Sequence, residues 1–156
     1  MNRFLSYIII AFLGLSVGAC DSNDGDENSA TDQFVGSWVL TAAVDDKGDQ
    51  FDMIQMSFDE VLLVLRTTGS ASVIGTAVSG GDDVSVDGTY TVSESAETLT
   101  LVTVISGIGE VPLLLAYDFD GGNAVDLTAD GSTTFALNVL LNTSLVGSVR
   151  MSFKRK

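Results

Sequence analysis

From residue 34 to the end of the chain, apolar and polar side chains alternate with a period of two. Trp38, Leu40, Ala42 and Val44 alternate with Val39, Thr41 and Ala43. Val111, Leu113, Leu115, Tyr117 and Phe119 alternate with Pro112, Leu114, Ala116, Asp118 and Asp120. Val125 and Leu127 face away from Asp126 and Thr128, and Val149, Met151 and Phe153 interleave with Ser148, Arg150 and Ser152. An antiparallel strand with one buried face reads this way. Valine and threonine, whose branched side chains suit a pleated surface, are abundant, and long helix-forming runs are absent.

Turn residues punctuate these runs at fairly even intervals, as in 45–49, 80–83, 93–96, 107–109, 120–123 and 130–132. The clearest hairpin is "AYDFDGGNAVDLT", whose paired glycines can supply a positive φ. The pattern predicts strands over 36–44, 58–67, 70–78, 86–93, 97–105, 111–120, 123–129 and 146–154. The phase of the 56–65 run shifts at Asp59-Glu60, which predicts a bulge. Residues 133–141 alternate as a strand would (Phe135, Leu137, Val139, Leu141) but also fit a short helix. Eight or nine short antiparallel strands make the fold all-β, a barrel or a sandwich.

The first 33 residues have a different character. Asn2 and Arg3 are followed by an apolar run over 4–17, too short for the roughly 20 residues that span a bilayer but suited to a signal peptide. Val17-Gly18-Ala19 then precedes Cys20, the only cysteine. This arrangement resembles the lipobox of bacterial lipoproteins. The resemblance implies cleavage after residue 19, acylation of Cys20 with palmitate-like chains, and a membrane anchor in the cell envelope. The protein would sit on the periplasmic face of the inner or outer membrane, or on the cell surface. A lone cysteine forms no intrachain disulfide, and a thioether removes a thiol that an oxidising compartment would attack. Residues 21–33 hold five acids and almost nothing apolar, so 20–33 is predicted to be a flexible acidic linker. Asp24-Gly25-Asp26-Glu27-Asn28 lacks the glutamate spacing of a calcium loop, and no metal is assigned to it. The organisation is thus a signal peptide (1–19), a lipidated linker (20–33) and one domain (34–156).

"FVGSWVL" ahead of seven or more strands resembles the start of a lipocalin-like domain, which places a Gly-x-Trp on its first strand. Gly36 and Trp38 match it. The resemblance covers 34–153 in layout and implies an antiparallel up-and-down β-barrel of about eight strands. It also implies an arginine near the last strand, packed over the tryptophan. Arg150 is the candidate, although its alternation sets it opposite Val149 and Met151. The Thr-Asp motif of classical lipocalins has no counterpart.

Charge and chemistry narrow the function. The chain carries 21 acidic and 7 basic residues and no histidine, for a net charge of −14. That balance argues against nucleic acid and against a domain lying flat on anionic lipid. Without histidine, with Cys20 assigned to the anchor and with lysines only at a turn and the terminus, nucleophile–base catalysis lacks material. Zinc lacks its usual ligands, and no cofactor is expected. Carboxylate pairs such as Asp59-Glu60, Asp82-Asp83 and Asp118-Asp120 fall at turns or strand edges, so no catalytic residue is assigned and the protein is not expected to be an enzyme. The expected activity is binding: a small apolar ligand in a pocket lined by Leu63, Tyr90, Val92, Leu99, Leu101, Leu115 and Tyr117. The alternative from the same residues is a solid β-domain without a pocket, serving as an envelope structural or protein-interaction module.

Overall fold

The computed structural model describes residues 29–105 and 108–156. The expected signal peptide, the lipobox with Cys20, and the linker up to residue 28 lie outside the described residues. Nine strands follow in order: β1 (Gly36–Asp45), β2 (Gly48–Asp49), β3 (Phe58–Leu65), β4 (Ser70–Ala77), β5 (Val84–Ser93), β6 (Thr98–Ile105), β7 (Gly109–Asp120), β8 (Ala124–Ala129) and β9 (Val149–Arg155). Three helices join them: α1 (Ala30–Phe34), α2 (Phe51–Gln55) and α3 (Gly131–Leu141). Each long strand pairs antiparallel with its neighbour in sequence, and β9 returns to pair with β1. The result is a closed eight-strand barrel, with β2 folded back as a short arm on the end of β1. Odd positions of β7 and β9, such as Leu113, Leu115, Val149, Met151 and Phe153, are buried or face inward as the alternation requires.

Two bulges set the local phase. The predicted one lies in β3, where the pairing with β4 shifts register between Phe58 and Glu60. A second, unanticipated shift lies in β1 between Leu40 and Ala42, opposite β9. It turns Ala43 and Asp45 inward, where strict alternation would bury Ala42 and Val44. Asp45 is satisfied there by the amides of Lys47 (2.7 Å) and Val146 (2.9 Å) and by the Gln50 side chain (3.1 Å). The ambiguous stretch 133–141 is helical: Asp130 caps α3 by accepting the Thr133 amide at 2.9 Å, and Asn142 ends it with a left-handed backbone (φ 50°).

The linker boundary also moves. Residues 30–33, expected to be flexible, belong to α1, because Ser29 caps the helix at Asp32 and Phe34 is fully buried. Burying that ring contributes about 1.5–3 kcal/mol toward holding the helix on the barrel.

The walls approach closely at Gly88, whose would-be Cβ lies 2.1 Å from the Val102 carbonyl oxygen on the neighbouring strand. Backbone cannot retreat as a side-chain tip can. Gly88→Ala should therefore destabilise the barrel by about 3 kcal/mol or prevent folding. Gly122→Ala, where nothing lies within 4 Å, should stay within about 0.5 kcal/mol of the native chain in urea unfolding.

Candidate functional site

The barrel has two unlike ends. At the lower end the chain enters through α1 and leaves through Arg155 and Lys156, and at the upper end lie α2, α3 and the 78–83 turn. The lower end is closed by rings. Trp38 and Phe34 are fully buried, and the indole Nε1–H donates to the Phe34 carbonyl at 2.7 Å. Phe34 meets Tyr117 edge-on at 5.0 Å between centroids and Phe119 at 4.8 Å. Burial, with the charges of Glu94 and Glu97 behind it, raises the Tyr117 pKa above 10.0 and keeps its hydroxyl protonated.

The arginine over the indole is Arg155, with its guanidinium carbon 4.5 Å from the Trp38 ring centre. Arg150, the candidate from the resemblance, is exposed and paired in register with Val44 and Thr128. The reason is the pleat: Arg155 continues the inward series Val149, Met151, Phe153, whereas Arg150 belongs to the outward one. Arg155 also donates to the carbonyls of Val35 (2.9 Å), Gly122 (3.2 Å) and Gln33, joining α1 to the barrel floor. Gly36 makes room for it, with φ at 143° and its would-be Cβ only 3.1 Å from the Arg155 guanidinium. Gly36, Trp38 and Arg155 thus form one closing unit.

Of the expected pocket residues, Leu63, Leu101 and Leu115 meet around the centre of the barrel. Leu99 is fully buried, Val92 is half-buried, and Tyr90 spans the lower turn with its hydroxyl 3.0 Å from the Arg66 carbonyl. Tyr117 belongs to the lower aromatic group. The space left at the centre is about 30 Å³ with a wholly apolar lining. That is far below the several hundred Å³ of an ordinary ligand pocket. The upper plug, which the sequence left undecided, is α3: Leu137, Leu140 and Leu141 close the space from above.

This helix is held at both ends. Thr133 and Thr134 hydroxyls donate to the Leu114 and Gly147 carbonyls (3.2 and 2.8 Å). The Asn138 amide ties the helix to Leu145 in both directions, each at 2.8 Å. Asp130 caps its start, and Asp45 holds the Val146 amide beyond its end. Burial opposes ionisation of Asp45, but the Lys47 and Val146 amides, the Gln50 side chain and the Lys47 charge outweigh it and lower its pKa below 3.8. The Thr133 amide, then the Ser132 and Thr133 hydroxyls, lower that of Asp130.

No family model and no curated protein matches the chain. Among solved structures it is similar to a redesigned β-barrel, b11L5F_LGL, at 16% identity and a TM-score of 0.50, covering 81% of this chain and 95% of that one. The likeness is one of fold.

Two outcomes are expected. Arg155→Ala should lower stability by about 2 kcal/mol in urea unfolding and shift the emission of Trp38, the single tryptophan, whereas Arg150→Ala should change neither. Asp45 and Asp130 ionise more readily folded than unfolded, so their stabilisation is complete above 3.8 and is lost as pH falls through their lower folded values. The melting temperature of Asp130→Asn should therefore lie below the native value at pH 6, and the gap should narrow as the pH is taken below 3.8.

Proposed function

We propose that this protein is a bacterial envelope lipoprotein, anchored by acyl chains on Cys20, whose lipocalin-like barrel is a solid, non-enzymatic interaction module. The observation that carries the solid reading is the 30 Å³ centre, plugged by rings below and a fastened helix above. The anchor rests on the lipobox-like run ending at Cys20. An apolar ligand at the centre would have to displace Leu137, Leu140 and Leu141 against the polar contacts that hold α3.

The working surface we assign is the upper end. Met56 (72% exposed), Phe135 (70%), Ile108 (57%), Val139 and Val146 all lie there, opposite the end where the chain enters. Asp46, Asp82, Asp83 and Asp130 in the connections, Asp49 in β2 and Asp52 in α2 lie at the same end. The complementary partner is a protein surface with an apolar centre and a basic rim; an anionic membrane would gain the apolar contact but oppose the charge.

Cys20→Ala should abolish incorporation of labelled fatty acid and release the protein from the membrane fraction. Native mass spectrometry of the wild-type protein should show the acylated chain without a co-purified small molecule in the barrel. A stoichiometric lipid that survives delipidation of the anchor would return the barrel to the ligand-pocket reading. Met56→Ser with Phe135→Ser should leave stability within about 0.5 kcal/mol, since both side chains are exposed, while abolishing cross-links formed from the upper end in native envelopes.

A further inference from the structure

The weakest seam of the barrel lies between β1 and β3. Their ladder has four register pairs, from Gly36↔Leu65 to Val39↔Leu62, and stops there although both strands continue upward. By contrast β3 keeps its pairing with β4 from Leu65 up to Phe58. Just above the last β1–β3 pair each strand shifts register against its other neighbour, β1 against β9 at Leu40/Ala42 and β3 against β4 at Phe58/Glu60, so the two strands part where both change phase. α2 lies over the parting, with Ile54 almost fully buried.

The parting holds a cleft of about 180 Å³, six times the space at the barrel's centre. Val39 and Leu40 of β1, Phe51 and Ile54 of α2, and Asp59 and Glu60 of β3 line it. The bulge decides its chemistry. Phe58 and Val61 both point inward, so the two residues between them, Asp59 and Glu60, are left outside the core together rather than on opposite faces. The cleft therefore joins an apolar floor to two adjacent carboxylates.

One of those carboxylates already holds an ammonium. Lys156 crosses the outside of β1 and sets its Nζ 2.8 and 3.0 Å from the two Glu60 carboxylate oxygens, an ion pair half open to water. The Asp59 carboxylate, on the same cleft, has no side-chain hydrogen bond or ion pair among the described residues.

We propose that this cleft binds an alkyl cation: an ammonium or guanidinium head on a short apolar stem. The stem lies against Phe51 and Val39, both half-buried, and the head takes the Asp59 carboxylate, with Glu60 completing the pair when Lys156 yields. The cleft, at about 180 Å³, has room for a short stem and its head. A free small amine and a lysine or arginine side chain of a protein carry the same chemistry.

Calorimetric titration of the full chain in a non-ionic detergent tests this directly. n-Butylammonium and n-butylguanidinium should bind with a Kd on the order of 1 mM, and butan-1-ol and butyrate should bind at least roughly tenfold more weakly. Asp59→Asn should weaken the cations by roughly tenfold, while Lys156→Met, which frees Glu60, should strengthen them severalfold. A carboxylate with a merely structural role would not give opposite signs in these two exposed positions, and circular dichroism checks that each variant is folded. A capped Gly-Lys-Gly peptide separates the sources. Binding of the peptide alongside butylammonium assigns a protein side chain; its exclusion while butylammonium binds assigns a free amine. Equal binding of butanol and butylammonium, no cation binding, or indifference to both substitutions would overturn the proposal.

Discussion

The ladder between the first and last long strands is the contact on which the rest depends. It pairs Trp38 with Arg155, Leu40 with Phe153 and Ala43 with Met151, residues more than a hundred positions apart. Without it β9 would be an unpaired edge and the wall would open beside the indole. With it, eight strands define a bore that leucines, valines and a few rings can nearly fill. Closure also makes the ends a problem: an open bore would expose that lining to water. The chain solves it from its own length, with α1 and its phenylalanine below and α3 above.

The two plugs are fastened by different physics. The lower one relies on rings, a cation over an indole and three carbonyls gathered by one guanidinium. The upper one relies on leucines inside and on carboxylate, hydroxyl and amide bonds to its flanks. A helix held by both apolar burial and saturated polar contacts behaves as part of the core, because lifting it would expose Leu137, Leu140 and Leu141 to water and break the bonds of Thr133, Thr134 and Asn138 together. The filled interior and the well-bonded lid are therefore a single argument, and neither would carry the solid reading alone.

Much of this was legible in the chain. Strict alternation located every barrel strand to within a few residues, and the phase shift at Asp59-Glu60 marked its bulge. The β1 bulge was hidden because Ala42, Ala43 and Val44 are all apolar, so a change of phase leaves no trace in hydropathy. Arg155 could have been found by counting in twos from Phe153; the family-like position drew attention to Arg150 instead. Ser29-x-x-Asp32 ahead of Phe34 is a readable helix start, masked by the acid-rich stretch in which it lies. The 133–141 stretch carries apolar residues on every side, so neither period wins. Whether the bore is hollow was beyond any composition argument, since the same leucines line a cavity or fill one, and only their relative placement decides.

Charge explains how such a surface can exist. A cap displaying Met56, Phe135 and Ile108 on a neutral domain would associate with its own copies. Here each copy carries a net charge of −14, and the turns around the exposed side chains are rich in aspartate. Two upper ends approaching each other bring those rings of aspartate together, and the repulsion acts over about 8 Å at physiological salt, beyond the reach of the apolar contact itself. Like-charged copies are turned away before the greasy centres meet, while a basic rim is drawn in by the same field. The acids thus select among partners for an apolar surface that would otherwise accept nearly any, and concentrated salt, by shortening that range, should weaken the discrimination before it weakens the apolar contact.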